Sequence, residues 1–155
     1  MIKFTKVSLP YGWLGNMAPF PVMYNGKKWL TIEALFQALR FENEKIIEEI
    51  RLEKSPMGAK MKSKKHKLLY VVEPMSEKDL ENMRMCVRLK LEQHPRLVGQ
   101  LLATNDQLIC EDIGKRNGER HKFWGAKEIK GVWEGKNMMG KIWMEFRGKI
   151  KEGSL

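Results

Sequence analysis

Trp29-Leu-Thr-Ile-Glu-Ala-Leu-Phe-Gln-Ala-Leu-Arg-Phe41 follows Asn25-Gly26 directly, so a turn signal runs straight into a helical period. Asn-Gly between the apolar-polar runs Pro21–Tyr24 and Lys27–Leu30 predicts a two-residue β-hairpin with a type I′ turn. From Thr31 the spacing changes to 3.6 residues and predicts one helix over Thr31–Phe41, with Thr31 as its N-cap. On that helix Glu33, Phe36, Gln37 and Arg40 fall at i, i+3, i+4 and i+7. A carboxylate, a ring, an amide and a guanidinium then share one stripe between Ile32, Leu35, Leu39 and Phe41, as the lining of a pocket would. A plainer reading stands beside it. A first-turn carboxylate is favoured by the helix dipole by about 0.3–1 kcal/mol and needs no function.

Composition sets the frame around this stretch. At 155 residues, 43% hydrophobic and 31% charged, the chain is expected to form one globular domain over residues 1–150, with a disordered tail at 151–155. No apolar run approaches the roughly 20 residues of a membrane span, and the N-terminus lacks a signal-peptide pattern. A cytoplasmic protein with no membrane partner is the expectation. Cys86 and Cys110 form no Cys-x-x-Cys pair, and His66, His94 and His121 show no zinc spacing with them. Neither a metal site nor a cofactor is expected, although magnesium would need only one or two carboxylates and a substrate phosphate.

The formal charge of +10 points toward anionic partners. Its densest part is the run containing Lys60, Lys62, Lys64, Lys65 and Lys67. That run reads either as a solvated face or as a surface for phosphate, including the backbone of a nucleic acid.

Elsewhere the pattern gives a strand over Ile2–Val7, an ordered Pro- and Gly-rich loop over Leu9–Pro21, and a helix capped by Asn43 with Ile46, Ile47 and Ile50 inward. Ser55-Pro56 opens another helix, and Tyr70–Pro74 is extended or a connector. Ser76 to Asp79 opens a long helix with Leu80, Met83, Val87 and Leu91 as its core stripe. A short helix runs from Pro95 to about Ala103, a strand covers Leu108–Cys110, and a loop extends from Asp112 to Lys136. Asn137 then caps a last helix ending near Gly148. The fold class expected is α+β, predominantly helical with a small β-hairpin or sheet.

The stretch Gly26-Lys-Lys-Trp-Leu-Thr-Ile-Glu-Ala-Leu-Phe-Gln-Ala-Leu-Arg-Phe41 resembles the signature of the NADAR, or YbiA-like, family. Leu14-Gly-Asn16, Lys54-Ser-Pro-Met57, Phe123-Trp-Gly125, Gly135-Lys-Asn137 and Glu145-Phe-Arg147 fit it in order. The resemblance implies a single YbiA-like domain that cleaves N-glycosidic bonds of ribose and ADP-ribose derivatives. It implies Glu33 as the catalytic carboxylate and Trp124 and Asn137 as pocket positions. Many members carry histidine where this chain has Ala34, and His121 stands where an aspartate precedes the Trp-Gly pair; Glu111 and Asp112 are the nearest acids.

Such a bond breaks through an oxocarbenium-like state that a carboxylate stabilises and can supply with activated water. The other roles remain open. Arg40 holds a phosphate or pairs with a carboxylate; Trp29 and Trp124 stack on a base or fill core. Phe36 helps keep water out, and Gln37 meets a sugar hydroxyl or satisfies backbone. Asn16 and Gly125 complete the substrate-binding set, and Asn137 touches ligand or is an ordinary N-cap. The expected substrate is a phosphorylated ribosylamine of the kind met in riboflavin synthesis. The alternatives are removal of ADP-ribose from guanine in nucleic acid or cleavage of an ADP-ribose-type nucleotide, and a non-catalytic nucleotide- or nucleic-acid-binding protein.

Overall fold

The computed structural model describes all 155 residues, as seven α-helices and three two-stranded sheets. The α+β, mainly helical class is the one expected. Two units organise the chain: a contiguous unit of residues 16–94 and a split unit of residues 1–15 with 95–155. No helix is long and apolar enough to cross a membrane.

In the contiguous unit, β2 (Val22–Tyr24) and β3 (Lys27–Trp29) pair antiparallel, with Val22 opposite Trp29. Asn25 (φ 50°) and Gly26 (φ 75°) both take the left-handed conformation of a type I′ turn. The edge of β2 is completed by a side chain: the Gln93 amide accepts from the Met23 N–H (2.7 Å) and donates to the Met23 carbonyl (3.0 Å).

Helix α1 (Ile32–Ala38) begins as expected, the Thr31 hydroxyl accepting the Ala34 N–H at 3.2 Å. It ends three residues before Phe41. The Arg40 and Phe41 amides bond back to Gln37 and Ala38, while the Arg40 carbonyl accepts the Val71 N–H at 2.8 Å. Asn43 must also be extended to cap α2 (Glu44–Arg51), which forces the chain out of the helix. In α2, Ile46 and Ile50 are buried and Ile47 is half-buried. Ser55 caps α3 (Pro56–Lys65), and Ser76 caps α4 (Glu77–Gln93). On α4, Met83, Val87 and Leu91 are buried as expected, but so are Asp79, Asn82, Cys86 and Lys90.

In the split unit, β1 (Ile2–Phe4) pairs parallel with β4 (Ile109–Glu111). Helices α5 (Pro95–Leu102) and α7 (Met138–Lys151) pack together, and α7 extends past the expected Gly148. Trp143 is fully buried; its indole N–H donates to the Leu14 carbonyl at 3.0 Å, and Trp13 meets it edge-on.

The expected loop from Asp112 to Lys136 is partly regular. It contains α6 (Glu119–Trp124) and a hairpin of β5 (Lys127–Ile129) with β6 (Val132–Glu134). Lys130 (φ 50°) and Gly131 (φ 81°) make its turn. These strands are three residues long and mostly exposed, so they carry none of the apolar alternation that marks a half-buried strand.

Candidate functional site

Glu33 lies in the first turn of α1 and is only 7% exposed. Its backbone N–H donates to the Asn16 carbonyl at 3.1 Å, which ties the start of the proline-rich loop to the helix N-terminus. The Asn16 side-chain amide meets the Met83 sulfur at 3.6 Å. One turn along α1, Gln37 Nε2 donates to Glu33 Oε1 at 3.3 Å, and Gln37 Oε1 accepts from Arg40 Nη1 at 3.3 Å.

Arg40 pairs with a carboxylate in this structure. Its Nε and Nη2 donate to the two oxygens of Asp79 at 3.0 and 2.9 Å, a bidentate pair with both side chains buried. Burial alone would pull the guanidinium down, but the hydrogen bond and charge of Asp79, with Tyr70 adding, raise it above its ordinary value. The Phe36 and Tyr70 rings lie 4.7 and 5.5 Å from the guanidinium carbon. Phe36 therefore packs on a cation. With its fork engaged by Asp79, Arg40 is poorly placed to grip a phosphate in the same way.

From α4, Cys86 faces the same stripe. Burial pushes its thiol well up, and the charges of Glu33 and Asp79 push it further, so it stays protonated. One turn on, the fully buried Lys90 is pulled down by burial to about 7, and its ammonium lies 5.1 Å from the Phe20 ring.

The structure thus gathers Asn16, Glu33, Phe36, Gln37 and Arg40 within the contiguous unit. Trp29 belongs there too, with a different setting. It lines a cavity of about 260 Å³ beneath the hairpin with Leu35, Leu39 and Ile47. Helical spacing puts Leu35 and Leu39 on the side of α1 turned away from Glu33 and Gln37.

Trp124, Gly125 and Asn137 belong to the split unit. Trp124 ends α6, half-buried and edge-on to Phe123 at 4.9 Å. A side chain at Gly125 would meet the Glu111 carbonyl at 2.6 Å, so only glycine lets the two backbones approach. Asn137 sits at the N-cap position of α7 without capping it. Its Oδ1 accepts the Glu111 N–H at 3.0 Å and its Nδ2 donates to the Ile109 carbonyl at 2.9 Å, so its amide fastens the helix start to β4. His121 lies on α6 beside Arg120, and Asp112 folds back on the Gly114 N–H.

Sequence reading missed Asp79. Its place in a capping sequence accounted for it locally, yet it also lies on the inward stripe with Met83, Cys86 and Lys90. A carboxylate there needs a cationic partner.

Comparison with known proteins sharpens the picture. Residues 3–151 match the NADAR domain. The chain belongs to the NADAR family. It is 36% identical over 156 aligned positions to the N-glycosidase YbiA of Escherichia coli (strain K12), covering 97% of this chain and 88% of that protein. The NMR structure of the E. coli protein YbiA superposes with a TM-score of 0.80 at 34% identity, covering 98% of this chain and 85% of that one. A riboflavin biosynthesis protein of Vibrio vulnificus (strain YJ016) is 28% identical, and this NADAR chain covers 39% of its length. The match to the NADAR domain includes the hairpin, α1 and the Glu33 stripe.

Proposed function

We propose that this NADAR protein hydrolyses the C–N glycosidic bond of a phosphorylated ribosylamine, with Glu33 as the principal carboxylate. The protein is a hydrolase of N-glycosyl bonds, the class carried by YbiA relatives at 36% identity over nearly the whole chain. The observation that carries the assignment of Glu33 is a buried carboxylate in the first turn of α1, held by the Gln37 amide at 3.3 Å. A carboxylate in such a site stabilises positive charge developing at the anomeric carbon and can accept a proton from the attacking water. An amine-linked ribose asks for less leaving-group protonation than an O-glycoside, so one principal carboxylate suffices. The substrate class is supported by the V. vulnificus relative, named a riboflavin biosynthesis protein.

A second reading keeps the chemistry and enlarges the substrate to ADP-ribose on a guanine base in nucleic acid. Its support is the exposed Lys64, Lys65 and Lys67 at the end of α3 and just beyond, in a chain of net charge +10. Lys62 is already paired with Glu53 at 2.9 Å.

The test offers wild type and Glu33→Gln a ribosylaminopyrimidine phosphate and, separately, DNA carrying ADP-ribosylated guanosine, with released sugar followed by mass spectrometry. Release of ribose phosphate by wild type and its loss in Glu33→Gln is the expected result. Full activity in Glu33→Gln sinks the role of that residue. Release from DNA alone, weakening steeply with salt, moves the assignment to the second reading.

A further inference from the structure

We propose that Asp79 and Arg40 are positioning residues that act on Glu33 through Gln37, so that four side chains work as one relay. The inference rests on Glu33 being the reacting carboxylate.

The argument turns on the two ends of the Gln37 amide. A glutamine amide has an acceptor oxygen and a donor NH₂ group, and nothing in its own shape decides which way it faces. Arg40 decides it here. A guanidinium is donor-only, so the end of the amide 3.3 Å from Nη1 has to be the oxygen. The NH₂ end is then presented to Glu33 Oε1, also at 3.3 Å. Turning the amide over would set donor against donor at Arg40 and oxygen against carboxylate at Glu33. Both contacts repel, and both lie where water does not relieve them.

Arg40 needs its own anchor to do this. It lies past the end of α1, where the backbone has left the regular helix. Asp79 supplies the anchor with a two-point grip at 3.0 and 2.9 Å, while Asp79 Oδ2 also accepts the Met75 N–H at 2.9 Å. Phe36 and Tyr70 flank the guanidinium, and the Tyr70 hydroxyl pairs with Ser63 at 3.0 Å. Every member of the relay is buried: Glu33, Gln37, Arg40 and Asp79 are 7%, 5%, 5% and 0% exposed.

A donor aimed at Oε1 holds the Glu33 carboxylate in one rotamer. Around it, α4 brings Cys86, held protonated, and Lys90, one turn further along. The inward residues of α2 (Ile46, Ile50), α3 (Ala59, Ser63) and β3 (Trp29) bring no charge. The two hydrogen bonds of Gln37, at 3.3 Å each, connect the Asp79–Arg40 pair to the reacting group.

The test uses the full chain with ¹³C-labelled glutamate carboxyls, reading the Glu33 titration by NMR beside kcat and KM. Gln37→Met removes the donor and keeps the side-chain length; Asp79→Asn removes the anchor charge and keeps the shape. Gln37→Met is expected to raise the Glu33 pKa and to move the acid limb of the kcat profile to higher pH, and both variants are expected to lower kcat about tenfold with KM nearly unchanged, as for one hydrogen bond to a charged group. In the Gln37→Met background, Asp79→Asn should cost no further kcat, because its effect travels through the missing amide. Should Asp79→Asn fail to fold, the volume-matched pair Arg40→Met with Asp79→Leu replaces it in the same comparison. An unchanged Glu33 titration in folded Gln37→Met overturns the relay, as do strictly additive losses in kcat. Because the titration is read independently of turnover, full activity in Glu33→Gln would fell the functional reading without deciding the relay.

Discussion

The helices of the two units bury different kinds of side chain. The face of α7 in the split unit is apolar, built from Met139, Ile142, Trp143 and Phe146, with one guanidinium, Arg147, at its far end. That guanidinium is met by neutral oxygens, Thr104 Oγ1 at 2.8 Å and the Gln107 carbonyl at 2.9 Å. The facing stripes of α1 and α4 in the contiguous unit instead bury Glu33, Gln37, Arg40, Asp79 and Lys90 among Leu35, Met83 and Val87. Apolar residues of similar volume would stabilise that interface at least as well, because desolvating an ion pair costs about as much as the pairing returns. A polar interior that stability does not require is where chemistry is to be sought.

Breaking one charge of the pair gives the largest effect expected. Asp79→Ala leaves Arg40 buried without its partner and should lower stability by about 3–5 kcal/mol in urea unfolding. Arg40→Met with Asp79→Leu should cost far less, and a double variant as unstable as Asp79→Ala would show that the pair is needed for folding itself. On α7, Arg147→Met should cost about 1–3 kcal/mol, since the acceptors it leaves are neutral.

Lys90 sharpens the contrast through pH. Its folded pKa is lowered by burial to about 7 from 10.5, so above pH 7 the unfolded chain binds the extra proton. Stability from this group is complete above about pH 10.5, is lost as pH falls, and is gone below about 7. Unfolding free energy should therefore rise between those limits by up to about 1.4 kcal/mol per pH unit, and Lys90→Met should flatten that rise. A slope unchanged by the substitution would mean that the amine is charged when folded. The smallest effect belongs to the surface. Asp106→Ala removes the exposed pair with Lys151 and should leave the urea unfolding midpoint unchanged within error.

The same contrast explains what could be read from the chain. Short-range chemistry was legible: Asn25-Gly26 specifies its turn within two residues, and Thr31, Asn43, Ser55 and Ser76 each accept a backbone N–H three positions on. The Glu33 stripe was legible for the same reason, being one helix read at its own period. Arg40 and Asp79 lie 39 residues apart, and each had a sufficient local explanation, so no pattern linked them. The helical period also runs on to Phe41, whereas the helix stops at Ala38 and the distant Val71 takes the Arg40 carbonyl. In β5, β6 and α6 the elements are short and half-exposed, and composition there resembles that of a loop.

The pairing of β1 with β4 carries a consequence for the order of events on the ribosome. Ile2, Lys3 and Phe4 emerge long before their partners Ile109, Cys110 and Glu111. During synthesis the N-terminal strand must wait with its edge unsatisfied while residues 16–94, whose partners are local, are completed and begin to organise. The half of the molecule that holds the Glu33 carboxylate is thus available for folding before the strand that precedes it has anything to pair with, and a nascent chain halted before residue 109 would lack that sheet altogether.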